Sequence, residues 1–152
     1  MRSTPLLLLV ALAACDTAGD RPPCPSPLDT TLEEGEAALT RKSSLGIGYD
    51  CPPVVRGRAT AAAGAVVVAT ELDTLRLQFD GDGSLSRAEY ARGDDWEGSS
   101  LYDRWSVSGP RSGSFEPESG RGRFEVAVFN NSLFPVTDTL RGQFRAAVLG
   151  GA

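Results

Sequence analysis

The chain has 152 residues, with 15 basic and 20 acidic side chains, a net charge of −5 and no histidine. Without an imidazole it holds no Ser-His-Asp or Cys-His nucleophile system and no zinc site that needs histidine. The acidic balance argues against nucleic acid as a partner, which needs a basic footprint, and against acidic head groups for the folded part.

The N-terminus begins with Arg2 and an apolar run from Pro5 to Ala14, closed by Leu12-Ala13-Ala14-Cys15. The run is about half the roughly 20 residues that cross a bilayer as a helix, so it reads as a secretion signal with a small-residue processing site. Leu-Ala-Ala-Cys resembles the lipobox of bacterial lipoproteins. That resemblance implies removal of residues 1–14, lipid attachment (palmitate among the chains) at Cys15, and a protein tethered to the cell envelope on its periplasmic side. Several acyl chains hold such a protein firmly where one would not. Loss of Arg2 with the leader takes the charge to −6. Asp16 leans the location toward the inner membrane, as it does in enteric lipoproteins. An ordinary secreted protein cut near Ala14 is the alternative.

Residues 15–27 are rich in proline and read as an extended tether, with the domain proper over 28–152. With Cys15 taken by lipid, Cys24 and Cys51 form an even pair in an oxidising compartment, and a disulfide between them is expected. Two free thiols is the other reading; no Cys-x-x-Cys redox motif occurs. Thr31-Leu32-Glu33-Glu34 reads as a capping box and predicts a short helix from Leu32 to about Arg41. Gly46 and Gly48 form no phosphate loop, since no Lys-Ser/Thr pair follows.

From Val54 the pattern is β. Val54–Ala63 and Ala65–Leu72 are rich in Val and Thr and divided at Gly64, and Leu75, Leu77 and Phe79 alternate onto one face. Asp80-Gly81-Asp82-Gly83 is a hairpin turn signal, with Ser84–Tyr90 as the returning strand. Arg92–Ser100 reads as a loop; Trp105 and Val107 share a face, and Ser114–Glu116 is a short strand. Phe124, Val126 and Val128 point inward; Asn130–Asp138 is a long loop tip; Thr139–Leu149 closes the chain with Leu140, Phe144, Ala146 and Val148 inward. The expected fold is therefore all-β, an antiparallel barrel or sandwich of about seven or eight short strands with a short N-terminal helix. Leu-Gln-Phe-Asp-Gly-Asp-Gly-Ser (77–84), Trp105-Ser-Val-Ser-Gly109 and Gly142-Gln-Phe resemble small lipocalin-like and β-sandwich domains of bacterial lipoproteins. The likeness covers the C-terminal half and implies an architecture without a ligand.

Residues 78–89 resemble an EF-hand calcium loop, with Asp80, Asp82, Gly83 and Glu89 at the third, fifth, sixth and twelfth positions; Asp80, Asp82, Ser84 and Glu89 are the candidate ligands. The first position is the neutral Gln78, and the flanks alternate as strands, which favours a plain hairpin turn. Asp94, Asp95, Glu97 and Asp103 read as a solvated acidic loop, and Trp96 and Trp105 as core or rim residues. Leu133 and Phe134 stand at the predicted loop tip, either folded back over the barrel mouth or offered as a docking point.

The leading functional expectation is a lipid-anchored envelope protein, non-catalytic and without a cofactor, serving as a binding or scaffolding module for an envelope partner. The alternative is a barrel whose interior carries a small apolar ligand, which requires an open cavity of several hundred Å3. An enzyme would have to work with carboxylates, tyrosines or arginines alone.

Overall fold

Leu75, Leu77 and Phe79 fall on alternate positions of one strand, and a period of two sends them all to one face of a sheet. The computed structural model, which describes residues 22–44, 51–93, 96, 104–107, 109–131 and 135–148, is built on that pattern throughout. A 3-10 turn, Pro27–Asp29, precedes ten strands: β1 (Glu36–Ser43), β2 (Val55–Ala62), β3 (Ala65–Ala69), β4 (Asp73–Phe79), β5 (Leu85–Arg92), β6 (Arg104–Ser106), β7 (Arg111–Glu116), β8 (Arg121–Asn131), β9 (Pro135–Arg145) and β10 (Ala147–Val148). They form one sheet in the order β6-β5-β4-β3-β2-β1-β9-β8-β7, antiparallel along that path, with β10 running parallel to β2. No helix among the described residues is long and apolar enough to cross a membrane.

The sheet curls until its two ends meet. Ser84 and Ser114 form an antiparallel bridge, the Phe115 N–H donates to the Gly83 carbonyl at 2.8 Å, and Arg111 Nε donates to the Ser86 carbonyl at 3.0 Å. β6 pairs with β5, and β7, which follows it, pairs with β8, so consecutive strands flank the seam from both sides. Of the expected barrel or sandwich, the protein is a nearly closed antiparallel barrel of eight strands plus two short additions.

Inward alternation fills the interior. Leu39, Val66, Val68, Leu75, Leu77, Tyr90, Val126, Val128, Leu140 and Phe144 are all essentially inaccessible to solvent and belong to one contiguous cluster. Each large apolar side chain buried this way contributes about 1.5–3 kcal/mol. At one end Phe79, Phe115, Phe124 and Phe144 pack ring to ring, with centroids 5.3 to 6.4 Å apart.

Three sequence expectations are corrected. No helix spans Leu32–Arg41: residues 36–43 are β1, and the N-terminal helical piece is the 3-10 turn, capped by the Ser26 hydroxyl, which accepts from the Leu28 N–H. Asn130–Asp138 is not a long loop, because β8 runs to Asn131 and β9 begins at Pro135, a first-residue position that spares proline its missing donor. Val148 is exposed, since the chain leaves the β9 alternation at Ala146, whose N–H bonds Gly120, before pairing with β2.

The segment before β1 belongs to the domain as far back as Pro27, which is buried. Gln143 Nε2 donates to the Pro27 and Thr30 carbonyls at 2.9 and 2.5 Å, holding the turn across the outside of β1 and β9. Cys24 and Cys51 are joined by the expected disulfide, which fastens this segment at its outer end.

Candidate functional site

Four polar side chains converge inside the barrel at the end opposite the phenylalanines. Arg41 stands near the end of β1, Asp73 opens β4, Tyr90 is near the end of β5, and Asp138 is near the start of β9. Antiparallel pairing brings those positions to one end. Their phase turns them inward, since Arg41 follows Ala37 and Leu39, Asp73 precedes Leu75 and Leu77, and Asp138 precedes Leu140 and Phe144, all buried. The paired part of β2 begins at Val55, opposite Leu39, so it stops short of Arg41. Arg41 spans the barrel there and links β9 to β4 through its guanidinium.

The geometry is a two-sided clamp. Arg41 Nε and Nη2 donate to Asp138 Oδ2 at 2.9 and 2.6 Å, while Nη1 donates to Asp73 Oδ1 at 2.6 Å. The Tyr90 hydroxyl makes a short hydrogen bond to the same Asp73 oxygen and accepts from Arg41 Nη1 at 3.3 Å. The guanidinium carbon also lies 5.9 Å from the Tyr90 ring centre, within cation–π range. Burial alone would pull the Arg41 pKa down, but the hydrogen bond to Asp138 and the charges of Asp73 and Asp138 hold it above the ordinary arginine value. Burial, reinforced by the bond to Asp73, pushes the Tyr90 phenol up to about 12. Both groups therefore keep their protons at neutral pH, and the cluster ties four strands together.

Sequence reasoning missed this cluster because its members lie 17 to 97 residues apart. A signal existed: a charge standing in phase with an inward-facing apolar series.

The calcium-loop candidates are not gathered into a cage. Asp82 accepts from the Ser84 N–H and hydroxyl at 2.9 and 2.5 Å, bonds that also lower its pKa. Asp80 closes the turn through its backbone, accepting from Gly83 and donating to Ser84. Glu89 lies well along β5, opposite Arg76, and binds Arg87 at 2.9 Å. Among the described residues no three His, Cys, Asp or Glu side chains converge on a point that could hold a metal ion. Gly83, the residue that would bend a calcium loop, has a φ of +84° and takes the hydrogen bond from Phe115 that closes the barrel.

Cys15, the acidic residues 94, 95, 97 and 103, and the docking candidates Leu133 and Phe134 lie outside the described residues. The exposed large apolar side chains among the described residues are Leu72, Phe129 and Val148. Comparison with protein-family models, with curated proteins and with solved structures returned no match.

Proposed function

We propose that the protein is a lipid-anchored envelope domain that acts through its outer surface as a binding or scaffolding module. The observation that supports a module over a carrier is how the described side chains occupy the interior: one apolar cluster lies in the middle, four phenylalanines at one end, and the Arg41 clamp at the other. A carrier would instead need an open apolar cavity among these side chains. The anchor reading rests on the N-terminal sequence, with Arg2, the short apolar run and Leu12-Ala13-Ala14-Cys15.

Fractionation tests the anchor. The parent is expected to sediment with membranes and Cys15→Ser to appear in the soluble fraction; a variant that still sediments overturns the lipid assignment. Native mass spectrometry of that soluble form, purified gently from its own host, tests the module. A bare protein mass is expected, and a stoichiometric apolar adduct would replace the module with the carrier.

A further inference from the structure

Arg121 and Arg145 are direct cross-strand partners at one end of the β8–β9 pair. Like charges placed opposite each other in an antiparallel pair destabilise it. Neither guanidinium has an ion-pair partner among the described residues, although the chain has an excess of acids. The Arg145 Nε is also buried without any hydrogen-bond partner, and a buried donor left unpaired is destabilising. In the same cross-strand row Glu36 stands opposite Arg145 and Glu116 opposite Arg121, so the two arginines meet each other at the centre of a row with acids at its outer edges.

Both arginines line a cleft of about 300 Å3 between this end of the barrel and the N-terminal segment, together with Thr30, Thr31 and Gln143. Asp29 is the one acid in its wall. A neighbouring cleft of about 180 Å3, on the other side of Leu28, is lined by Arg123 and Arg141 with Glu125. The walls of the two clefts thus carry four arginines against two acids, with Arg141 3.8 Å from Glu125 and with Glu36 and Glu116 flanking the Arg145–Arg121 pair in its cross-strand row.

We infer that the Arg121–Arg145 cleft binds a phosphate-type oxyanion, held between the two guanidinium groups. Such an anion is an acceptor on every side and can lie between the two guanidinium groups, relieving their like-charge opposition. The inference extends the outer-surface reading above and rests on it, but not on lipidation of Cys15. A phospholipid head group and a free phosphate or phosphomonoester share this chemistry. The cleft is walled by residues 28–32, immediately after the segment that reads as the membrane tether, so either source is within reach.

The test uses the full chain with Cys15→Ser, alone and with Arg121→Gln, Arg145→Gln or, as a control elsewhere on the barrel, Arg76→Gln. Inorganic phosphate is titrated by calorimetry and by thermal unfolding. Vesicles of phosphatidylcholine, with and without phosphatidylglycerol, are tested by flotation, where any contribution of the apolar leader is common to all variants. Saturable phosphate binding that raises the melting temperature, weakens about tenfold or more in either cleft variant and survives Arg76→Gln supports a free-anion site. Silence toward phosphate, with phosphatidylglycerol-dependent flotation lost in the cleft variants alone, supports a head-group site. Binding to neither, or equal loss in Arg76→Gln, overturns the inference. Each result is read independently of whether the wild-type protein is lipidated.

Discussion

Arg41 and Asp138 meet through two donors on one carboxylate oxygen, Nε at 2.9 Å and Nη2 at 2.6 Å. The remaining guanidinium nitrogen, Nη1, reaches Asp73 across the barrel. The two carboxylates are almost fully buried, 5% and 6% exposed, whereas Arg41 retains 32%. Arg41→Leu would strand two acids in the interior, and breaking a buried pair from one side costs about 3 kcal/mol or more. Urea denaturation should show the midpoint falling accordingly. Adding Asp73→Asn and Asp138→Asn to Arg41→Leu should recover a large part of the loss, since no unpaired charge then remains. A triple variant no more stable than the single one would show that the clamp is not what holds this end together.

Tyr90 gives the cluster a pH signature. Its folded pKa of about 12 lies above the ordinary value of about 10, so the native state holds the phenolic proton more tightly than the unfolded chain does. That contribution is complete below pH 10 and is lost as the pH rises toward 12, by up to about 3 kcal/mol. Stability measured across that range should fall more steeply in the parent than in Tyr90→Phe. Below pH 10 the parent should be the more stable of the two, because the variant leaves Asp73 without its tyrosine donor at a cost of about 1 kcal/mol. Equal alkaline slopes in the two proteins would contradict the assignment.

The strands that face solvent on one side were legible in the sequence. Leu75, Leu77 and Phe79 alternate with Arg76 and Gln78, and Phe124, Val126 and Val128 with Glu125 and the small Ala127, because only one face of β4 and β8 meets the core. β1 was misread for the opposite reason. Ala37 and Leu39 face inward while Ala38 and Thr40, on the outer face, are also buried, with the Pro27–Asp29 turn packed against β1. A strand covered on both faces loses its period of two, and Glu-Ala-Ala-Leu then imitates a helix. The same misreading hid the clamp, since Arg41 looked like a base at a helix C-terminus. The cleft arginines were hidden by averaging: net charge says nothing about which side chains the pairing of β8 with β9 sets opposite each other.

The Cys24–Cys51 disulfide closes a span of 27 residues around the segment that leads into β1. In the chain-entropy model a loop of that size is worth about 3–4 kcal/mol. Reduction should therefore lower the melting temperature, and Cys24→Ser with Cys51→Ser should reproduce the reduced protein without added thiol. Amide exchange should quicken most in residues 22–32, because Gln143 would then be their main attachment to the barrel. Uniform quickening across β4 and β5 would instead place the bridge's effect on the whole fold.

Gly83 is where the barrel closes, and its substitution should open the seam. Its φ of +84° lies in the region that disfavours a side chain, and an added Cβ would come within 2.6 Å of the Phe115 carbonyl oxygen. Both problems fall on the atoms that join the β4–β5 hairpin to β7, through the Phe115 N–H and the Ser84–Ser114 bridge. Gly83→Ala should thus cost about 2–4 kcal/mol, combining backbone strain with displaced packing. Loss of protection should be strongest at the Phe115 amide, because its acceptor is the Gly83 carbonyl itself. Phe115 also packs against Phe79 and Phe144, with centroids 5.3 and 5.7 Å away, so the loosened strand would expose this end of the core. A hydrophobic dye that fluoresces on exposed apolar surface should bind Gly83→Ala and not Gly81→Ala, since an added Cβ at Gly81 meets nothing within 4 Å. Equal dye binding by the two variants would show that the turn, rather than the closure of β7 onto it, carries the stability of this end.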